Sequence, residues 1–485
     1  MTTVLEVEVA FIRYKQRGEK WYVYEVSNIW DKDLKKYKQR SSYLGTASAK
    51  DGMYQKQVDK LLCPPLEKAV LDFGDSYAIT QVAENDGLFA LLQDLVPEAP
   101  LVLSLICYQL TSGSAMHNFM DFADGNIISR LFPSCTVASS QKISKLVSDL
   151  GSEELQRKFF QRYISSFFKD KHGVLIDSTS LPSSINSSLS SFGYSADGVC
   201  EKVGCLMLVD TVSKLPLFFR TISGEIADVS TLQGTVDEVM RLGLKLEQAI
   251  FDAGYFSEKN LDYLCKSNLR FLSRMPKSRK IFKELVAKLG DLESSANAVR
   301  YGDKRAVFVK TCEIDLYGHK MFAHVILDPS KKGREITQAL INADENPSEA
   351  GDVDESMKYA GMFILLSNYE INKEDVLPAY YTRQQIEQVF GFAKCNNLLP
   401  LRVHSDQSIR GYLFLVFLSI ILFVQMRQKL QSNTKAKITV EQALLTLRNL
   451  KAKVYDKEVI PLEQTKKMRE ILGALGVTVP ISLGI

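Results

Sequence analysis

The chain holds eight cysteines but no C-x-x-C pair. The closest two are Cys200 and Cys205. No zinc-site pattern is read from them. Cysteines in apolar settings, such as Ile106-Cys107 and Leu264-Cys265, point to reduced core thiols in a reducing compartment. The five histidines, His117, His172, His319, His324 and His404, have no metal-ligand spacing with another acid or cysteine. His319 and His324 read as members of a strand pair. There is no G-x-G-x-x-G loop after a strand, no G-x-x-x-x-G-K-[ST] and no H-E-x-x-H, which argues against nucleotide-dependent and zincin-type enzymes. No basic segment followed by an apolar one opens the chain, so no secretory signal is expected. The most apolar run, Tyr412–Val424, is 13 residues long. A bilayer span needs ~20, so this run is expected to be a buried core helix and no membrane partner is expected. Net charge is also scarce, at only +3.

What is present is ordinary for a globular protein: 46% apolar and 24% charged residues over 485 positions, enough for about three domains. Charge is concentrated locally. Residues 1–50 hold ten Lys and Arg against six Asp and Glu. Arg270, Arg274, Lys277, Arg279, Lys280 and Lys283 form a strip with no acid among them, and Lys466, Lys467 and Arg469 form another. Such strips fit phosphate contacts or a solvated face.

Along the chain, residues 1–50 read as a β region, with strand content such as Trp21–Tyr24. Residues 51–170 read as helical. Within them Ser139 is an N-cap for a short amphipathic helix that either reads DNA or packs internally. Residues 171–276 give the order β, β, β, α, β, α, β: a mixed sheet, antiparallel first and then joined by helical crossovers. Residues 277–357 read as a β-rich insertion. Residues 358–430 return to the core with an apolar strand at Met362–Leu366 and a long helix after Pro378. Residues 431–485 read as a helical tail. A loop with nine serines between Ser178 and Ser195 either lines a phosphate backbone or is a flexible connector.

Two aspartates close short apolar runs: Val174-Leu175-Ile176 leads into Asp177, and Gln248–Phe251 leads into Asp252. A carboxylate in such a place is costly unless paired, hydrogen-bonded or metal-bound. Asp252-Ala253-Gly254 also fits a simple turn. A third element is more specific. Tyr380, Arg383, Glu387 and Lys394 fall on one predicted helix, within a stripe about 60° wide at ~100° per residue. Gly391 lies beside the stripe and leaves room for a close approach. Ile386, Val389, Phe390 and Ala393 form the opposite, packing face. An Arg383–Glu387 pair alone would be a plain i,i+4 ion pair. It would not explain why a phenol and an ammonium share its stripe. Carboxylates that hold two metal ions, flanked by a guanidinium and an ammonium that hold phosphate, are what phosphoryl transfer needs.

The spacing Tyr380-x2-Arg383-x3-Glu387-x6-Lys394 resembles the Tyr-Arg-Glu-Lys signature of DDE transposases of the insertion-sequence-four type. Ile176-Asp177-Ser178-Thr179, Phe192-Gly193-Tyr194-Ser195-x-Asp197-Gly198, Gly224-x3-Asp228 and Phe251-Asp252-Ala253-Gly254-Tyr255 resemble its other motifs, in order, over roughly residues 170–425. The resemblance implies an α/β, RNase H-like mixed-sheet core with a β-rich insertion, preceded by a mixed, mainly helical DNA-binding region. It implies Asp177, Asp252 and Glu387 as catalytic, metal-holding carboxylates for two Mg2+, with Mn2+ as a substitute. Tyr380, Arg383 and Lys394 become the DNA-contacting residues. It further implies double-stranded DNA partners (element ends and target), a dimer in the synaptic complex, and a cytoplasmic, nucleoid-associated location. Asp252 and Glu387 are separated by 134 residues, which leaves room for the insertion. The two tryptophans, Trp21 and Trp30, lie far from it. If a base is flipped, Tyr301, Tyr317 or Phe322 would have to receive it. A nuclease or resolvase that cuts without joining, or a domesticated DNA-binding protein, is the alternative.

Overall fold

Three long antiparallel strands occupy most of the first fifty residues: Glu8–Arg17, Lys20–Asp31 and Lys36–Ala47. Gly18 opens the first two-residue hairpin loop at φ +62°, a conformation that glycine adopts without steric cost. The computed structural model describes residues 8–31, 36–53, 55–56, 67–112, 115–183, 187–195, 198–226, 228–288, 290–302, 305–345, 353–395, 403, 405–433, 438–456 and 458–484. The chain divides into two units, residues 1–69 with 454–458, and residues 70–453 with 459–485.

The larger unit begins with helices, among them Gly74–Asn85, Ala99–Thr111, Ser140–Leu150 and Glu153–Phe167. It is organised around a ten-stranded mixed sheet. From one edge the order is Ala298–Tyr301, Arg305–Leu316, His319–Leu327, Met362–Ser367, Arg270–Met275, Lys245–Phe251, Lys171–Pro182 and Gly198–Asp210. Gly198–Asp210 also pairs with Ser191–Ser195 and Pro216–Ser223. Lys171–Pro182, Gly198–Asp210 and Pro216–Ser223 are antiparallel neighbours. Lys245–Phe251 and Arg270–Met275 then run parallel to the first of them, through the helices Leu232–Arg241 and Glu258–Lys266. Apart from the added strand Ser191–Ser195, this follows the alternation expected from the sequence.

Several expectations need correction. Asp177 does not end its strand. The strand continues to Pro182 because Ser178, Thr179 and Ser180 extend the pairing with Gly198–Asp210. The serine-rich segment is therefore partly strand; its residues 184–186, and Asp197 of the motif that follows, lie outside the described residues. The strands of 277–357 are hydrogen-bonded onto the core sheet, His319–Leu327 to Met362–Ser367, and the stretch also contains a 17-residue helix, Pro329–Glu345. The C-terminal tail holds strands as well as helices. Lys451–Val454 and Glu458–Pro461 form where Ala452, Val454 and Val459 are buried.

The helix containing the apolar run is longer than that run. It spans Asp406–Asn433, long and apolar enough to cross a membrane, but 89% of its apolar stretch is buried inside the protein. It is thus a core helix. It packs against Ser140–Leu150, Ala99–Thr111 and Lys466–Leu475. The Ser140–Leu150 helix turns Ile143, Leu146, Val147 and Leu150 inward, with Ser139 accepting from the Lys142 N–H. It is a packed helix. An aromatic cluster joins Glu153–Phe167 and the long helix to strand Pro216–Ser223: Phe159–Phe414, Phe160–Phe218 and Phe219–Phe417 have ring centroids 4.9, 4.8 and 5.3 Å apart. Each buried ring contributes about 2–3 kcal/mol, so the N-terminal helices are anchored to the sheet that carries the site.

Candidate active site

Asp177 sits in mid-strand, opposite Met207. On the other side, Ile176 is level with Phe251 of the parallel strand Lys245–Phe251. Asp252, one residue beyond that strand, therefore emerges beside Asp177 on the same face. Val174, Leu175, Ile176, Ala249, Ile250 and Phe251 are buried, so both carboxylates are carried by rigid, buried strands. Each also accepts a local backbone hydrogen bond, Ser178 N–H to Asp177 Oδ1 at 3.0 Å and Ala253 N–H to Asp252 Oδ1 at 2.7 Å. Asp252 is thus a turn-opening residue, as its Ala-Gly sequel suggests, while its second oxygen faces Arg383.

The helix after Pro378 is not continuous. Val376–Tyr381 and Gln384–Cys395 are separate helices, with Thr382 and Arg383 in the turn between them. The Thr382 hydroxyl donates to the carbonyls of Pro378 and Ala379. The Arg383 N–H reaches the Tyr380 carbonyl, a tighter three-residue step. Such local bonding competes with the α-helical ladder. The break leaves Tyr380, Arg383 and Glu387 in one place. The buried Tyr380 hydroxyl donates to Asp252 Oδ1 at 3.1 Å. Arg383 joins all three carboxylates: Nη1 lies 3.3 Å from both Asp177 Oδ2 and Asp252 Oδ2, and Nη2 lies 3.2 Å from Glu387 Oε1. The helix pair Arg383–Glu387 is real, but it is one arm of a three-armed cluster. Lys394 lies on the Gln384–Cys395 helix, and its side chain lies outside the described residues. Space beside Gly391 is open.

Exposure is graded across the site: Asp177 is 17%, Asp252 37% and Glu387 56% exposed, and Arg383 14%. Burial raises the Asp177 pKa to about 6. Arg383 and the Ser178 N–H pull it down, and the charges of Asp252 and Glu387 push it further up. Burial works against the Arg383 cation, yet Asp177 and Asp252 outweigh it and hold its pKa above the ordinary value. Tyr380 is held in its neutral form by burial and by the Asp252 charge. Among the described residues, no three His, Cys, Asp or Glu side chains close around a single ion position. The guanidinium stands between these carboxylates, where a positive charge satisfies all of them.

The structure adds residues that sequence reasoning missed. A cavity of about 220 Å³ beside the carboxylates is lined by Arg274, Lys331, Phe363, Tyr381, Arg383 and Glu387, among others. The Arg274 and Lys331 cations stand 5.5 and 5.6 Å from the Phe363 ring. Arg274 was visible only as one member of a basic strip. The rest of that strip is largely engaged elsewhere: Arg270 with Glu247, Lys277 with Glu335, Lys283 with Glu355, and Arg279 against Phe256. Asp228 is a fourth carboxylate near the site, with Oδ2 3.6 Å from where a Cβ on Gly254 would stand. Tyr301 lies with its ring 5.4 Å from Tyr381. Tyr317 occupies a hairpin turn at φ +54°, and Phe322 lies in the strand His319–Leu327. In the serine-rich segment, the Ser187 and Ser188 hydroxyls bond Asp406 at the start of the long helix. A larger cavity, about 350 Å³, lies between Arg157, Arg220 and Arg410 and contains none of the predicted site residues.

Fold and site together define a mixed α/β protein with three carboxylates and an arginine gathered on adjacent strands and a facing helix. Residues 169–422, just over half of the chain, match the family model described as the transposase DDE domain, and the chain belongs to that family. It is a DDE transposase. Among solved structures it is similar to a piggyBac transposase synaptic complex with hairpin DNA, determined by cryo-EM. That likeness has 10% identity, covers 77% of this chain and 70% of that one, and has a TM-score of 0.40. It is also similar to a Drosophila P element transposase strand transfer complex, at 10% identity over 65% of this chain and 79% of that one, with a TM-score of 0.17. A comparison with curated proteins finds no match.

Proposed function

We propose that the chain is the transposase of an insertion sequence, which cuts the element's DNA ends and joins them to target DNA at one site built from Asp177, Asp252 and Glu387. The observation that carries this reading is the convergence of those three carboxylates on Arg383. Three antiparallel strands followed by two parallel ones support an RNase H-like core.

The donor set suits two Mg2+ ions, with Mn2+ as a substitute. All three side chains offer hard carboxylate oxygens, and two of them come from rigid strands. The cluster already surrounds a cation. When bound, the metal pair would sharpen the attacking oxygen and stabilise the leaving one. The chain's own groups do the positioning. The Tyr380 hydroxyl holds one Asp252 oxygen, and Arg383 holds the other. Arg383, released from the carboxylates, presents a planar fork to non-bridging phosphate oxygens. Lys394, on the Gln384–Cys395 helix, would supply a point charge.

In the first reaction a water oxygen bonds to phosphorus as the P–O3′ bond breaks. The products are a 3′-OH on the element end and a 5′-phosphate on the flanking strand. In the second reaction that 3′-OH bonds to a target phosphorus, and the target's own 3′ oxygen leaves. Two ends must be held together, so we propose a dimer on DNA.

The test is a gel assay with purified chain, Mg2+, a duplex carrying an element end and a target duplex. Joined product is expected from both intact and pre-cleaved ends. Cutting without joining would move the reading to a nuclease or resolvase. Absence of both products would overturn it.

A further inference from the structure

The first three strands carry a second feature, remote in sequence from the carboxylates. Their registers decide which side chains share a face. Arg13 is opposite Tyr24, Lys15 is opposite Tyr22, and Tyr24 is opposite Tyr43. Directly opposed residues point the same way, so these five side chains lie on one face. Ring and cation contacts agree with that placement. Tyr43 lies 6.1 Å from Tyr22 and 5.4 Å from Tyr24, and the Lys15 ammonium stands 5.7 Å from the Tyr24 ring. Phe11, two residues before Arg13 on that face, has the Arg13 guanidinium 5.4 Å from its ring. Phe11 is 41% and Tyr43 38% exposed.

Charge on the two faces differs. Between Phe11 and Arg17, Lys20 and Val26, and Gln39 and Thr46, this aromatic face carries cations and no carboxylate. Glu25, the acid in those stretches, is opposite Ile12 and Ser42 and so points to the other face. A sheet face with three tyrosines in contact, flanked by Arg13 and Lys15 and with no acid within those stretches, matches what an extended polynucleotide strand needs. Its bases stack on rings of any sequence, and its phosphates meet the cations. A regular duplex keeps its bases stacked on one another and offers such rings only phosphate and sugar.

We propose that this face binds single-stranded nucleic acid, through base stacking on Tyr22, Tyr24 and Tyr43 and phosphate contacts to Arg13 and Lys15. This goes beyond the proposed transposase chemistry and does not depend on it.

The experiment is fluorescence anisotropy of the full chain, in chelator without divalent metal, with a labelled oligo(dT). Unlabelled single-stranded RNA and duplex DNA of equal length serve as competitors. Without metal, neither strand cutting nor joining contributes, so failure here leaves the carboxylate reading untouched and failure of that reading leaves this one standing. The double substitution Tyr24→Ala with Tyr43→Ala should weaken oligo(dT) binding by about tenfold or more. Tyr24→Phe with Tyr43→Phe, which keeps the rings, should bind like wild type. Arg13→Gln with Lys15→Gln should weaken binding and flatten its salt dependence by about one to two counterions. Competition by RNA as well as DNA single strands is expected; competition by DNA alone would still support the face and restrict its ligand. Equal competition by duplex, or full binding by an alanine variant whose thermal melting matches wild type, would overturn the proposal. If the alanine variant fails to fold, loss of binding by the phenylalanine pair would overturn the stacking role instead.

Discussion

At the scale of residues, the site turns on Arg383. One guanidinium pairs with three carboxylates and reduces their mutual repulsion. Removing one partner of a largely buried charge cluster leaves uncompensated charge behind. Arg383→Ala should therefore lower metal-free stability by about 2 kcal/mol, a discounted figure because Glu387 is half exposed. Added Mg2+ or Mn2+ should restore more stability to this variant than to wild type, read as thermal melting with and without metal. Equal metal shifts in both would contradict the account. A second residue-scale prediction concerns His324. It is buried between Thr311 and Ser367, and burial lowers its pKa from 6.5 to about 4. The unfolded chain then takes up this proton before the folded chain does. Stability from this group is complete above pH 6.5 and is lost as pH falls from there to about 4, by about 3 kcal/mol. His324→Asn should flatten that part of the stability–pH curve, measured by denaturant melts; an unchanged acid limb would reject it. The individual roles of Asp177 and Asp252 were ambiguous in the sequence, since a strand-end or turn-opening aspartate has several uses. The spacing around Glu387 was more telling, because four chemically different side chains shared one helical stripe.

At the scale of elements, glycine decides how closely helices can approach. A Cβ on Gly411 would stand 1.7 Å from the Val147 carbonyl oxygen, and one on Gly151 would stand 1.8 Å from the Gln407 oxygen. The Ser140–Leu150 helix and the long Asp406–Asn433 helix therefore cross at backbone contact. Gly411→Ala should cost about 3 kcal/mol or more, seen as a fall in the denaturant midpoint. Gly391 is the contrast: it has open space around it, so Gly391→Ala should leave stability unchanged or slightly raised. The strand and helix order of the core was legible because its apolar runs are short and separated by amphipathic helices, one of them opened by Ser257 as an N-cap. The break at Thr382–Arg383 was not, because it depends on a threonine hydroxyl bonding back to Pro378 and Ala379 within an otherwise unbroken helical pattern. The continuation of Asp177's strand through Ser178–Pro182 was also hidden. Serine-rich sequence gives no strong strand signal, and here pairing with Gly198–Asp210 determines it.

At the scale of the whole molecule, the site exists only because the sheet brings distant segments together. Asp177 and Asp252 come from adjacent parallel strands, and Glu387 comes from a helix reached after more than a hundred further residues. Those intervening residues supply strands that extend the same sheet through Met362–Ser367. Sequence periodicity reveals strands but not which edge they join, so the pairing of strands from 277–357 with the core sheet was not legible. The same limit hid Arg274 and Lys331, which tertiary packing alone places beside the carboxylates. The central claim is that the three carboxylates act together in phosphoryl transfer. Its most direct test is Mg2+-dependent strand transfer of a pre-cleaved 3′-OH end by Glu387→Gln, a variant of the same shape at a half-exposed position. The account predicts retained folding and DNA binding, with the strand-transfer rate lowered by at least about a hundredfold. Strand transfer at the wild-type rate would contradict it.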